Sequence, residues 1–489
     1  MRDGCPPAVS SAPSGQAIFA FTRDLRLTDH AGLATAAKFG QVVPVLVVDP
    51  ASAQRLRRSP RRAAFYCAAV AALAALLRAR GANLIVRRGA SGPILRSLAR
   101  AAGAGAVGWS IAYDAKSLRA GRDLQSTLEE AGLRALPVHD APVVPPEDSA
   151  PVHRQGDGYR AFVPYQARWR TFVPAVYAGD VSFADRGIAS EPLPQPEEFG
   201  SDARCERPVS EAAAALATAR FLELSGLAYG SGRNVPAADA TSHLSADLAF
   251  GTIAARSVVR AVHDRARDPF LLTEEKASLR LFLRAFAQRD FFLQLAWFTE
   301  ELGDRPLQSK MRAFAFARSH PALDAWRGGR TGFPIIDAGI RELHATGAMH
   351  PRVRAIAASF LCFDLGVDWR VGRDEWDRWL IEDTPALATA NWQWIAGVGA
   401  DLAAYPRIYN PLKQARRFDP AATYIRRWIP ELALQPDSAI LDPYARRATR
   451  QLGFDLFGPQ QYPLPVLDHE TAARDFLARY SREIRSASA

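Results

Sequence analysis

Cysteine is scarce in this chain. Cys5, Cys67, Cys205 and Cys362 are the four among 489 residues, and no two stand at a metal-ligand spacing. That argues against a disulfide framework and a structural metal site, and it fits a reducing cytosol. Long apolar runs are missing too: Ala68 to Leu77 is the strongest, and it is too short for a membrane span and stops at Arg78. Residues 1–15 are small and polar, with Pro and Ser, and lack an apolar signal core, so they read as a disordered lead. No G-x-G-x-x-G follows an apolar run, so the dinucleotide fingerprint is absent.

What is present describes a globular protein of two or three domains: 489 residues, 48% hydrophobic and 23% charged. A net charge of +10 favours an acidic partner, nucleic acid first. The basic residues are nearly all arginine in an alanine-rich chain, so charge alone carries that inference only weakly.

Short apolar runs at Ala17–Phe21, Val42–Val48, Asn83–Val86 and Ala106–Trp109 alternate with helical periodicity at Arg61–Arg80 and Ser117–Ala131. This pattern predicts an α/β domain over 16–140, with a parallel, Rossmann-like sheet covered on both faces. Thr22-Arg23-Asp24-Leu25-Arg26 falls at the carboxyl edge of the first strand, where such sheets bind ligands. Residues 141–207 are rich in proline and acidic residues and read as a connector, with a docked helical piece between Tyr159 and Tyr177. From 208 to 489 the pattern is all-α.

Within that half, 331–419 is helical, aromatic and basic. Its arginines sit among apolar residues and need an anionic partner, either a carboxylate such as Glu382 or Asp383 or the phosphates of a nucleotide. Its tryptophans fit an aromatic cofactor or an ordinary core, and residue types alone favour core. Thr241, Ser242, His243, Leu244 and Ser245 stand before a helix at Ala246–Ala249, a plain N-cap or a phosphate cradle.

Order and spacing add more. Thr331-Gly332-Phe333-Pro334-Ile335-Ile336-Asp337-Ala338, Asp368-Trp369-Arg370, Asn391-Trp392-Gln393-Trp394, and Asn410-Pro411 through Gln414 to Phe418-Asp419 resemble the FAD-binding domain of the DNA photolyase and cryptochrome family. Phe21 to Asp29 and Tyr113 to Asp123 resemble that family's antenna domain, which can hold a second chromophore, a folate or a deazaflavin. The resemblance implies FAD bound by Tyr229, Thr241, Ser242, His243, Leu244, Ser245, Arg289, Arg354, Glu382, Asp383 and Thr384. It also implies Trp392 and Trp369 as an electron relay whose third member falls at Phe316, with Trp379 or another tryptophan as a substitute. Gln414, Arg416, Arg417 and Arg352 match contacts to DNA. No metal is implied.

The lesion pocket departs from the family pattern. Ala285 stands at its glutamate, Gln288 at its first stacking tryptophan, Pro351 at its asparagine, Ala355 at its methionine and Ala388 at the residue facing flavin N5. Trp394, the second stacking residue, is retained. His350 and His344 read as structural, although His350 is the nearest candidate for chemistry on (6-4) photoproducts. These losses favour a cryptochrome-like photoreceptor with a signalling partner; the chain is further expected to be cytoplasmic, monomeric and free of any membrane. The alternative is a photolyase repairing damaged or single-stranded DNA.

Overall fold

The computed structural model describes residues 15–150, 157–177, 179–400, 406–442 and 462–488. The expected lead, apart from Gly15, and Cys5 lie outside them. Five strands form one parallel sheet: β1 (Gln16–Phe21), β2 (Gln41–Val48), β3 (Ile85–Arg88), β4 (Ala106–Ser110) and β5 (Arg134–Val138), in the order β3-β2-β1-β4-β5. Helices α1 (Ala31–Ala36), α2 (Pro50–Arg57), α3 (Pro60–Ala79), α4 (Ser91–Ala102) and α5 (Ala115–Glu129) accompany the sheet. Alternation along β1 sends Phe19 and Phe21 into one core layer and Ile18 and Ala20 into the other. β5 escaped the sequence reading because Arg134-Ala135-Leu136-Pro137-Val138 is half-exposed and contains proline, which an edge strand tolerates.

The sequence reading also underrated α3. Pro60–Ala79 forms one 20-residue helix, long and apolar enough to cross a membrane by length and composition. Its Ala63, Val70, Leu73 and Leu77 are fully buried in the α/β core, which accounts for its apolarity.

The connector carries α6 (Pro146–Ser149) and α7 (Phe162–Trp169). Asp290 pins it from the helical half, accepting hydrogen bonds from the Val143 and Val144 amides (2.8 and 3.1 Å) and from Trp169 Nε1 (2.9 Å). The helical half begins with α8 (Glu211–Glu223), α9 (Tyr229–Gly232), α10 (Ser245–Phe250), α11 (Ala255–Ala266) and the long α12 (Thr273–Phe298). It continues through α13 (Leu323–Arg327), α14 (Pro334–Thr346), α15 (Pro351–Ser359), α16 (Trp369–Trp376) and α17 (Pro385–Ile395). α18 (Pro411–Phe418), α19 (Thr423–Trp428), α20 (Asp437–Leu441) and α21 (His469–Ser488) complete it.

The sequence motifs are folding devices at these helix ends. Buried Asp337 accepts from Thr331 N, Thr331 Oγ1 and Gly332 N, fixing the entry to α14. Gly332 has φ +80°, and a side chain there would collide with the backbone of Leu464 and Pro465. Asp368 caps α16 and Asn410 caps α18, while Asp419 holds the first amides of α19.

Candidate functional site

Helices α12, α15, α16 and α17, with the segment before α10, enclose a cavity of about 1130 Å³ that reaches the α/β domain. Typical single-ligand clefts hold roughly 300–1,000 Å³. At its centre Arg354 Nη1 meets Glu382 Oε1 at 2.5 Å, and Arg354 Nε donates to Met349 O at 2.8 Å. Thr241, Ser242 and Ser245 line one end. Tyr229, Arg289, Thr384, Trp392 and Trp394 complete the predicted residues that reach the wall. Arg289 is partly engaged, donating to Ala141 O at 2.7 Å, and burial lowers its pKa. His243, with φ +51°, lines the same end while its ring pairs with Asp239 at 2.5 Å.

Three predicted residues lie elsewhere. Leu244 is buried in the core beside α12, because its backbone opens α10 and turns the side chain inward. Trp369 is fully buried and lines no part of the cavity; Arg370 and Arg373 place guanidinium groups 4.6 and 5.2 Å from its ring centre. Asp383 departs furthest from the expected clamp. Its carboxylate is bound by Arg23, from the loop after β1, and by Arg55 of α2, while Arg23 Nη1 also donates to Asp383 O at 2.9 Å. Nearby, Arg62 donates to Asp377 and Leu380, and Arg58 pairs with Asp377 at 2.9 Å. Four arginines of the α/β domain thus hold residues 377–383, the stretch that carries Glu382. The sequence placed Arg23 at a ligand-binding sheet edge, but its partner there is the helical half.

The substituted residues Ala285, Gln288, Pro351, Ala355 and Ala388 all line the cavity together with Trp394. His350 also lines it, but its Nδ1 accepts from Arg352 N at 3.2 Å and caps α15. Burial, with Arg352 and Arg354 nearby, pulls its pKa down to about 4, so the imidazole is neutral at pH 7. His344 packs against Trp379, with ring centres 4.0 Å apart and planes tilted by 34°. On the outer face, Arg352 donates to Asn234 Oδ1 at 2.7 Å and packs over Phe418, Gln414 is half-buried, and Arg416 and Arg417 are exposed.

Sequence reasoning missed Trp376. It lines the cavity, its ring centre is 4.5 Å from that of Trp392, and its Nε1 has no hydrogen-bond partner. The signal was available: Trp369, Gly372 and Trp376 share one face of α16.

Comparison with known proteins agrees with this geometry. The model of the FAD binding domain of DNA photolyase matches residues 282–482, and that of DNA photolyase matches 17–194. The chain is 33% identical to the deoxyribodipyrimidine photo-lyase of Halobacterium salinarum, over 95% of this chain and 98% of that one. Among solved structures, a bacterial class III photolyase from Agrobacterium tumefaciens superposes with a TM-score of 0.84 at 29% identity, covering 98% of this chain and 100% of that one. A Synechocystis cryptochrome superposes with a TM-score of 0.85 at 26% identity, covering 96% and 99%. So does an archaeal photolyase from Sulfolobus tokodaii, solved with two FAD molecules, with a TM-score of 0.81 at 26% identity, covering 96% and 100%. The fold and cavity are those of a light-absorbing flavoprotein. This chain belongs to the DNA photolyase and cryptochrome family, and its helical half is the FAD-binding domain.

FAD suits the residues present. The hydroxyl-bearing Thr241, Ser242 and Ser245 in the lining suit a diphosphate, and the Arg354–Glu382 pair suits the polar edge of a ring.

Proposed function

We propose that this protein is a DNA photolyase that repairs ultraviolet lesions under light. The observation that carries the reading is the cavity itself, whose lining includes Trp394, Ala285, Ala355 and Ala388 as well as the Arg354–Glu382 pair. A cavity of that kind suits a lesion lifted out of the duplex, with Trp394 as the stacking platform. Gln288 on its wall supplies an amide donor and acceptor, the chemistry that reads a base edge. FAD, when bound and reduced, supplies the electron that light drives into the lesion. The chain's own residues hold and orient: Arg354 and Glu382 fix the ring edge, Thr241, Ser242 and Ser245 receive the phosphates, and Trp394 positions the lesion. Gln414, Arg352, Arg416 and Arg417 on the outer face are suited to the DNA backbone. A second chromophore in the α/β domain is part of the same reading.

Repair takes precedence over the photoreceptor reading because the relatives above 30% identity that match over nearly their whole length include the photo-lyases of Halobacterium salinarum and Streptomyces griseus, whereas the cryptochrome is 26% identical. The lost hydrogen-bonding groups at Ala285, Pro351 and Ala388 favour the second reading, a cryptochrome-type photoreceptor. Repair of a thymine-dimer oligonucleotide by reduced protein under blue light, with a (6-4) oligonucleotide in parallel, separates the two. Restored thymines on either substrate are expected. A flavin that photoreduces without repairing either lesion would return the photoreceptor to first place.

A further inference from the structure

A second cavity, of about 450 Å³, opens between residues 363–366 and α21 and shares no lining residue with the flavin cavity. Part of its wall is unusual backbone. Phe360–Asp364 is a π-helical turn, closed by Leu365 N on Phe360 O at 3.0 Å, and such turns are rare and gather at functional sites. The flavin cavity makes no use of this turn. Asp364 ends it and lines the second cavity at 7% exposure. Its Oδ1 is held by His469 Nδ1 of α21, while Oδ2 is buried without a hydrogen-bond partner. Burial raises the Asp364 pKa, and the His469 hydrogen bond pulls the other way. A cation reaching Oδ2 offsets the cost of burying that charge.

We propose that this cavity binds an aliphatic diamine or polyamine, with one ammonium on Asp364 and another at the mouth beside Asp475. The inference is independent of the flavin and of repair. On a chain of net charge +10, the lining carries three carboxylates, Asp364, Asp468 and Asp475, and one guanidinium, Arg479. That guanidinium is already engaged: it lies over the Phe314 and Phe476 rings at 4.9 and 5.4 Å, and 3.7 Å from Glu483 Oε1. His320 adds no charge at pH 7, because burial lowers its pKa and its Nδ1 accepts from Ala322 N at 3.0 Å. Outside the lining, Arg474 donates to Thr471 Oγ1 at 3.2 Å. The balance within the cavity is negative, which repels nucleic acid and attracts a cation.

The carboxylates are not gathered around one ion: among the described residues no three acidic, histidine or cysteine side chains could hold a metal. They are instead split by depth. Asp364 is buried, whereas Asp475 is exposed, as is Asp468, which caps α21 by accepting from Thr471 N at 2.8 Å. Phe363, Leu365, Leu467 and Phe476 supply the apolar part of the wall. A ligand with an ammonium at each end and methylenes in the middle fits that division, since alkyl stems bury on apolar surface while their charged heads stay paired or wet. Bound there, it ties α21 to the π-helical turn and stabilises the docked helix.

Isothermal titration of the full-length, flavin-loaded protein with spermidine, putrescine and n-butylamine at fixed ionic strength tests the assignment. Spermidine and putrescine are expected to bind and to raise the melting temperature, with n-butylamine, which has a single ammonium, weaker by about tenfold. Asp364→Asn keeps an acceptor for His469 and should weaken putrescine by about tenfold or more. Asp475→Asn, an exposed substitution that leaves folding intact, should weaken it by about two- to fivefold. Flavin absorbance, checked in each variant, is expected to match wild type. Titration heats that neither substitution alters would overturn the proposal, as would no binding of either polyamine at millimolar concentration. Equal affinity for putrescine and n-butylamine would overturn it too, by reducing the site to a pocket for one lysine side chain.

Discussion

At the scale of single residues, the site combines a retained platform with a stripped rim. On the proposed repair reading Trp394 would offer an indole face to a base, while the side chains of Ala285, Ala355 and Ala388 have no hydrogen-bonding group. Stacking of this kind contributes about 1–3 kcal/mol per base. Trp394→Ala should therefore weaken binding of a dimer-containing oligonucleotide by roughly five- to 150-fold, with flavin content unchanged. Equal affinity of both forms for damaged and intact DNA, measured by fluorescence anisotropy, would remove Trp394 from the site. Restoring a carboxylate with Ala285→Glu should sharpen discrimination between damaged and undamaged DNA, read as the ratio of the two dissociation constants.

At the scale of elements, α12 connects the cavity to the connector. Its Gln288 and Arg289 face the cavity, and the next residue, Asp290, is fully buried and pins the connector. Burial raises the Asp290 pKa to about 6, against the pull of Arg289 and the donated hydrogen bonds. The folded state thus holds this proton more tightly than the unfolded chain. The native state then loses stability as pH rises from about 4 to 6, by up to about 3 kcal/mol, and the deficit persists above that range. Asp290→Asn, which keeps an acceptor for the connector, should flatten the melting temperature over that window; an unchanged pH profile would show that Asp290 is ionised throughout.

Much of this level was legible in sequence. Continuous apolar runs marked β1 to β4 because a strand buried on both faces cannot alternate, and the caps at Asp368 and Asn410 sat in recognisable motifs. β5 was hidden by Pro137. The place of Asp383 was hidden for a different reason: it is set by Arg23 and Arg55, more than 300 positions away, and no local pattern records such a contact. Trp376 was missed because its significance lies in ring geometry rather than in spacing alone.

At the scale of the whole molecule, two features govern behaviour. The net charge of +10 predicts DNA binding that weakens steeply with salt, and removing one phosphate contact with Arg417→Ala should lower the log–log salt slope by about 1. A slope unchanged by the substitution would place Arg417 off the DNA path. The second feature is the arginine grip on residues 377–383. Asp383→Ala leaves Arg23 and Arg55 half-buried without their carboxylate, a loss on the order of 3–5 kcal/mol for a buried pair. The variant should melt earlier and release FAD more readily in a dialysis assay; full FAD retention at wild-type melting temperature would show that the grip is dispensable.

That grip also bears on inheritance. A lineage that no longer harvested light through its first domain would still be unable to discard it, because the floor of the flavin cavity hangs from it. Exchange of first domains between relatives would succeed only where Arg23, Arg55, Arg58 and Arg62 travel with a matching Asp377 and Asp383, so the two halves of this gene are bound to change together.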